Sequence, residues 1–172
     1  MLRTFGPDNA TLTVRTKRTG AAAKAGHDLV IEVTSWSATL DPEQGSVTLT
    51  ADPRSLRVID GTGGMQALDE EDKAGIEKTI DDEVLMGRPI EFRSSDAELG
   101  PDGSGQVRGE LQLAGERSPI GFELVAAEDG RLSGAAVVRQ SDWGMKPYSG
   151  LFGTLKVVDE VEVAVDTGAG DG

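Results

Sequence analysis

Residues 29–40 (LVIEVTSWSATL) are the stretch that decides the fold. Apolar side chains alternate with polar ones at Leu29, Ile31 and Val33, which is the period of a β-strand with one buried face. The alternation then changes phase, and Trp36 begins a second apolar series. A phase change within a strand indicates a bulge or a sharp bend, and bends of this kind let a sheet curl into a barrel.

Similar alternation marks most of the chain. Further predicted strands lie within residues 12–16, 47–51, 56–58, 90–99, 107–113, 120–126, 132–138 and 161–165. The links between them are short and rich in Pro, Asp and Gly (DPEQG, GPDGSG, AGERSP and EDG), as expected of turns. About eight strands joined in this way predict an antiparallel sandwich or an up-and-down barrel. A second phase change, near residues 94–95, predicts another bulge or bend.

The composition is that of an acidic soluble domain. The chain has 172 residues, enough for one domain with a sizeable core, and a net charge of -13. This charge opposes binding to nucleic acid, which needs Lys and Arg against phosphates, and docking on anionic membranes. The absence of cysteine and the single histidine argue against disulfides and most zinc sites. The N-terminus, MLRTFGPDNATLTV, lacks the apolar segment of a signal peptide, so a full-length chain is expected to be cytoplasmic.

One segment departs from the strand pattern. Residues 69–86 (DEEDKAGIEKTIDDEVLM) are predicted to form a helix, with Asp69 as N-cap and acidic residues in the first turn. Ile76, Ile80 and Val84 are spaced to share one helix face. A lone helix among strands must bury that face, and the open end or side of a barrel is the expected place.

No motif in the sequence points strongly to catalysis or metal binding. His27 and Asp28 are neighbours on a predicted strand and point to opposite faces, so they cannot form a His-Asp relay there. The acidic clusters at 69–72 and 81–83 lack the oxygen spacing of an EF-hand loop and are expected to be solvated helix faces. The glycines of DGTGGM lack the Gly-Lys-Ser/Thr of a phosphate loop. We therefore predict no catalytic residue, no metal and no cofactor.

Apolar residues gather at the predicted turns, above all in residues 139–148 (RQSDWGMKPY) and just beyond. The turn-associated apolar residues are Met65, Leu68, Met86, Trp143, Met145, Tyr148, Leu151 and Phe152. Such residues either plug the ends of a filled barrel or line the entrance of an open one. The pattern alone leaves both alternatives open.

Several of these segments, in this order, resemble the YceI-like family, a polyisoprenoid-binding, lipocalin-like family. The closing signature, an Arg-Ser-Asp-aromatic-Gly turn followed by an acidic residue and valine at the last strand, is matched with one inserted glutamine. The matching residues are Arg139, Ser141, Asp142, Trp143, Gly144, Asp159, Glu160 and Val161, together with Gly109, Leu111 and Gly115 of a central hairpin and Pro89, Glu91, Phe92 and Ser94 of a preceding strand. The resemblance covers about residues 10–166. The chain departs from the family in GMQALDEEDKAGIEKTI, which lacks the arginine and histidine of an Arg-Asp-x-His-Leu motif.

The resemblance implies an all-β fold: an eight-stranded antiparallel lipocalin-like barrel with a helix near its mouth, holding a long-chain isoprenoid or related lipid. We expect residues 1–166 to form this domain and 167–172 (TGAGDG) to be a disordered tail. In the closing turn, Arg139 and Asp142 are expected to pair. The expected ligand-binding residues are Ile31, Trp36, Leu49, Ile90, Phe92, Leu111, Phe122 and Trp143.

Two alternatives to a lipid carrier follow from the same sequence. One is a ligand-free protein-interaction module, expected to be a homodimer with a barrel filled by side chains. The other is an enzyme acting on a lipid, which needs a polar residue deep inside the barrel, and Glu32, Arg93 and Arg139 are the candidates.

Overall fold

The computed structural model describes residues 2–19, 28–62, 69–145, 149–150 and 155–168. The strands are β1 (Arg3–Phe5), β2 (Ala10–Thr16), β3 (Arg18–Thr19), β4 (Asp28–Val33), β5 (Trp36–Asp41), β6 (Ser46–Ala51), β7 (Leu56–Thr62), β8 (Ile90–Leu99), β9 (Gly105–Leu113), β10 (Glu116–Ala126), β11 (Leu132–Arg139), β12 (Ser149–Gly150), β13 (Leu155–Val157) and β14 (Glu160–Thr167). Helix α1 spans Glu70–Thr79. Within the described ranges, no helix is both long and apolar enough to cross a membrane.

Eleven strands form one antiparallel sheet in the order β1-β5-β6-β8-β9-β10-β11-β14-β2-β4-β7, and β12, β13 and β3 form a small second sheet. Residues from both ends of the large sheet line the same cavity, so the sheet is curled. The all-β class and the helix are confirmed. The predicted count of eight strands differs from these eleven, and the order of the sheet is linear rather than a closed ring.

The first phase change explains part of the difference in strand number. Residues 34–35 separate β4 from β5, and residues 52–55 separate β6 from β7. Two backbone hydrogen bonds join these corners, from the Thr34 amide to the Ser55 carbonyl (2.9 Å) and from the Asp52 amide to the Ser35 carbonyl (3.0 Å). The predicted run at residues 29–40 is therefore a pair of strands joined at a bend, as the change of phase at Trp36 indicates. Strands β6 and β7 correspond to the separately predicted runs 47–51 and 56–58 and meet at the second corner.

The second phase change is a bulge within one strand. The pairing of β8 with β9 shifts register between Ser94 and Asp96, so the apolar series continues on the same face of the sheet after the shift. Gly109 lies opposite the bulge, where a Cβ atom would run into the backbone of Arg93 and Ser94. Glycine is needed at this position because the neighbouring strand approaches too closely for any side chain.

Helix α1 begins as the sequence predicts. Asp69 accepts a hydrogen bond from the amide of Asp72 (2.7 Å), and Asp72 accepts one from the amide of Asp69 (3.2 Å), which completes a capping box. After residue 79 the chain continues as a π-helical turn, Ile80–Leu85, which ends at Met86 in the left-handed conformation. The predicted helix is thus present over nearly its whole length, with a wider final turn.

The strand faces follow the predicted alternation. In β9, for example, Val107 and Leu111 are buried whereas Gln106, Arg108 and Glu110 are exposed. At the end of the chain, Thr167 is the buried last residue of β14, so the strand extends one residue into the predicted tail. Residues 169–172 lie outside the described residues.

Candidate ligand-binding cavity

A cavity of about 1050 Å³ lies inside the curled sheet. Its wall is formed by inward-facing side chains of most strands of the large sheet and by one face of α1 and the π-helical turn. Ile76, Ile80 and Val84 of this face are only half-buried by protein and all line the cavity. The apolar stripe that had to be buried somewhere therefore packs against the core cluster and also faces the cavity.

Seven of the eight predicted binding residues line this cavity: Ile31, Trp36, Leu49, Ile90, Phe92, Leu111 and Phe122. Ile31 and Trp36 are 2% and 7% exposed, and the rings of Phe92 and Phe122 stack at a tilt with their centres 5.4 Å apart. The structure thus brings side chains from six different strands to one apolar surface. That these residues bind a ligand stays a prediction.

Trp143 is the exception. It is 2% exposed, does not line the cavity, and donates a hydrogen bond from its indole nitrogen to the carbonyl oxygen of Leu111 (2.7 Å). This bond ties the turn after β11 to β9. Trp143 therefore packs into the protein beside β9 instead of joining the other predicted binding residues on the cavity wall.

The two parts of the closing signature form one hydrogen-bonded unit. Ser141 donates to the Asp159 carboxylate through both its backbone amide (2.8 Å) and its hydroxyl. The amide of Gln140 donates to the Asp159 carbonyl (3.0 Å). Gly144 then ends the short 3-10 turn Gln140–Trp143 at a φ of 70°, a conformation that favours glycine. These contacts fix the turn that leads out of β11.

The predicted pairing of Arg139 with Asp142 is not the one that forms. The guanidinium of Arg139 lies 3.4 Å from the carboxylate of Glu160, its register partner on β14. Both side chains are about half exposed, so this ion pair contributes little to stability. The hydrogen bonds to Asp159 hold the turn instead.

The end of the cavity near the β5–β6 turn is closed by large apolar side chains. Leu40 and Leu132 are buried there, and a Cβ atom on Gly103 would lie within 3.1 Å of both. The turn that contains Gly103 therefore packs directly on the two leucines. Asp102 shapes this turn: hydrogen bonds from the hydroxyl and amide of Ser104 lower the pKa of its carboxyl below the ordinary value.

Most polar side chains on the cavity wall already have partners within the protein. Thr16 and Thr167 accept hydrogen bonds from backbone amides of β4 and β11 (3.3 and 2.9 Å). Thr79 donates to a carbonyl of its own helix (3.0 Å), Thr39 bonds a threonine of β6, and Gln140 donates to the carbonyl of residue 158 (3.4 Å). With these groups satisfied, the wall offers a ligand mainly apolar contact.

None of the candidates for enzymatic chemistry lies on the cavity wall. Glu32, Arg93 and Arg139 are absent from the lining residues. Of the acidic residues at 69–72 and 81–83, Asp69 and Asp72 form the capping box, and Asp81 lies 3.7 Å from the Arg54 guanidinium. Among the described residues, no cluster of three or more His, Cys, Asp or Glu could hold a metal ion.

The apolar residues predicted at the turns have different places. Met145 is buried and lines the cavity, whereas Met86 is 54% exposed beside the π-helical turn. The remaining residues singled out at the turns, Met65, Leu68, Tyr148, Leu151 and Phe152, lie outside the described residues, as does His27. Sequence reasoning missed Gly75 and Gln140 as lining residues. The position of Gly75 on the apolar helix face was the available signal for the first of them.

Comparison with known proteins agrees with this architecture. A family model described as YceI-like domain matches residues 7–169. The chain belongs to the YceI-like domain family. Among solved structures, BcnA of Burkholderia cenocepacia has 16% identity and a TM-score of 0.62, with 91% of this chain and 94% of BcnA covered. This likeness shows a shared fold.

A second solved structure is that of a mutant CJ YceI protein for nanotechnology applications. It has 12% identity and a TM-score of 0.45, with 79% of this chain and 83% of that protein covered. No curated protein matches this chain.

Proposed function

We propose that this YceI-like protein binds a long-chain apolar ligand, an isoprenoid or a related lipid, as a carrier or sequestering protein. The observation that supports the proposal is the 1050 Å³ cavity with its apolar wall. Pockets that bind small molecules usually have about 300–1,000 Å³ and a few polar groups on an apolar lining. This cavity has the size for a long chain, and the described part of its wall carries none of the three residues considered for enzymatic chemistry.

The expected affinity follows from the area that a chain would bury. Removing about 400 Å² of apolar surface from water contributes about 10 kcal/mol, at ~25 cal/mol per Å². Ordering a flexible chain and losing its translational freedom offsets much of this gain. A dissociation constant in the micromolar range is therefore expected, which suits a carrier that must also release its ligand.

The barrel itself is part of the proposal. If each bent pair, β4 with β5 and β6 with β7, counts as one strand, and short β1 is set aside, the eleven strands reduce to eight around the cavity. The hydrogen bonds across the corners at residues 34–35 and 52–55 support this count. Eight strands leave an interior that side chains fill or that holds one small ligand.

The competing function, a ligand-free interaction module, predicts an interior filled by side chains. The cavity argues against that reading. Homodimer formation and cytoplasmic localisation stay predictions from the sequence.

The test is mass spectrometry of an organic extract of the freshly purified protein, together with native mass spectrometry of the intact protein. A lipid present in stoichiometric amount, and lost on extraction, supports the carrier function and identifies the chain. A ligand-free mass that persists after incubation with isoprenoid alcohols of several lengths contradicts it.

A further inference from the structure

The charged side chains on the described cavity wall are all acidic. Among the forty-two lining residues that belong to the described ranges, only Glu71 and Asp72 carry a formal charge. No Lys, Arg or His is among them. A ligand whose polar end lies beside these two carboxylates meets negative potential, and the net charge of -13 adds to it.

The two carboxylates lie at the end of the cavity opposite Leu40 and Leu132. Helix α1 runs antiparallel to β7, because Asp81 meets Arg54 just before that strand (3.7 Å) and Glu77 accepts from an amide within it (2.9 Å). At 1.5 Å per residue, Glu71 lies about 9 Å farther along the helix axis than Glu77, toward the end of β7. The cavity therefore has one apolar closed end and one acidic end.

The positive end of the helix dipole does not reverse this potential. A helix N-terminus carries about half a positive charge, whereas the N-cap and first turn of α1 carry four carboxylates. Of these, Asp72 belongs to the capping box and Glu70 lies 3.6 Å from the Lys73 ammonium. Glu71 makes no hydrogen bond or ion pair with any described residue, so its charge is uncompensated there.

We propose that the cavity selects apolar chains with a neutral or cationic head group and discriminates against diphosphate and other anionic heads. The chain enters with its apolar end toward Leu40 and Leu132, and the head stays beside Glu71 and Asp72. This inference rests on the proposed function, because it names the class of ligand that the same cavity takes.

The test compares three ligands with one identical tail: farnesol, farnesylamine and farnesyl diphosphate. Each is titrated into the protein by isothermal calorimetry at low ionic strength, below its aggregation concentration. A unit charge about 8 Å from a carboxylate, in surroundings of intermediate dielectric constant, changes affinity by about fivefold. We expect the amine to bind at least fivefold tighter than the alcohol, and the diphosphate at least tenfold more weakly.

Two variants locate the effect. Glu71→Gln removes a carboxylate from the cavity wall, and Glu70→Gln removes one from the same helix turn but away from the wall. Glu71→Gln should weaken amine binding and strengthen diphosphate binding by about fivefold each, so the ratio of their dissociation constants should fall by about 25-fold or more. Glu70→Gln should change that ratio much less. Added salt should also reduce the difference in affinity between the amine and the diphosphate, because it screens the charges at the acidic end of the cavity.

The outcomes separate this inference from the proposed function. If none of the three ligands binds, and longer isoprenoid alcohols also fail, the carrier function itself is contradicted. If farnesol binds but the diphosphate binds equally well or better, the carrier function stands. Selection of the head group by the acidic end of the cavity is then wrong. Equal effects of Glu70→Gln and Glu71→Gln would also overturn it, since they would indicate a response to net charge alone.

Discussion

Gly75 offers the most direct test of the cavity, because it is a helix residue on the cavity wall with open space in front of it. A Cβ atom built on Gly75 meets no other atom within 4 Å. It shares the cavity-facing side of α1 with Ile76 and Thr79. A side chain at this position therefore starts in open space, and we expect a larger one to extend from this cavity-lining position into the cavity.

Two substitutions separate helix stability from cavity volume. Alanine and leucine both favour a helix interior over glycine, by about 0.8 to 1 kcal/mol, and differ little from each other. Gly75→Ala and Gly75→Leu should therefore both raise the free energy of unfolding by nearly 1 kcal/mol. In a chain of 172 residues, this corresponds to a melting temperature about 2 to 4 °C higher.

The two variants should differ in ligand binding. Leucine has three more carbon atoms than alanine, and they would occupy space otherwise open to about three methylene groups of a ligand. At about 0.8 kcal/mol per methylene, a chain that fills the cavity loses about 2.4 kcal/mol, or roughly fiftyfold in Kd. Short chains that leave this part of the cavity empty should keep their affinity.

The assay is a titration of both variants with isoprenoid alcohols of increasing length, beside thermal unfolding of the ligand-free proteins. Leucine should shift the length profile toward shorter chains, and alanine should leave it as in the wild type. If Gly75→Leu is stabilised as expected but its affinity depends on chain length as in the wild type, the ligand does not lie against α1 beside residue 75. A loss of stability in Gly75→Ala would instead refute the open space in front of the helix.

Three further predictions concern polar contacts around the cavity. Trp143→Phe removes a buried hydrogen bond and should lower the free energy of unfolding by about 1 to 3 kcal/mol without changing farnesol affinity. Trp36→Phe removes an indole N–H that has no hydrogen-bond partner among the described residues, and it should lower the free energy of unfolding by less than about 1 kcal/mol. Urea unfolding measures both changes. Glu77→Ala frees the β7 amide that this carboxylate caps, so hydrogen exchange at that amide should accelerate. Ser104→Ala should raise the pKa of Asp102 in an NMR titration. Because the pKa of Asp102 is lowered in the folded protein, its ionised carboxylate stabilises the fold at pH values above the unfolded-state pKa. This stabilisation is lost as the pH falls through the folded-state pKa. The variant should therefore lose less stability over that pH range.

Strand positions and bends could be predicted because they leave a period in the sequence. Both phase changes correspond to real features, a corner at residues 34–35 and a bulge between Ser94 and Asp96. The strand count could not be predicted in the same way. Strands β1, β3, β12 and β13 have two or three residues each, too few to show any alternation, and a corner divides one apolar run into two strands.

The candidate site was predictable for strand residues and less so elsewhere. Seven lining residues could be chosen because alternation assigns apolar side chains of one strand to a common face. Trp143 lies in a turn, where no period assigns a direction, and its place depends on a hydrogen bond to a distant strand. The acidic end of the cavity depends in the same way on how α1 lies along β7, which local sequence does not encode.

Side-chain size explains why the interior is open. On one side of the cavity, Phe92 and Phe122 supply large rings. On β11 the wall includes Gly134 and Ala136, from the small-residue run LSGAAVV, and Ala38 of β5 also lines it. Side chains can fill the interior of a barrel-like sheet of this size, and small residues on its wall leave part of that interior open. The run of small residues on β11 therefore adds to the space that a ligand chain could occupy.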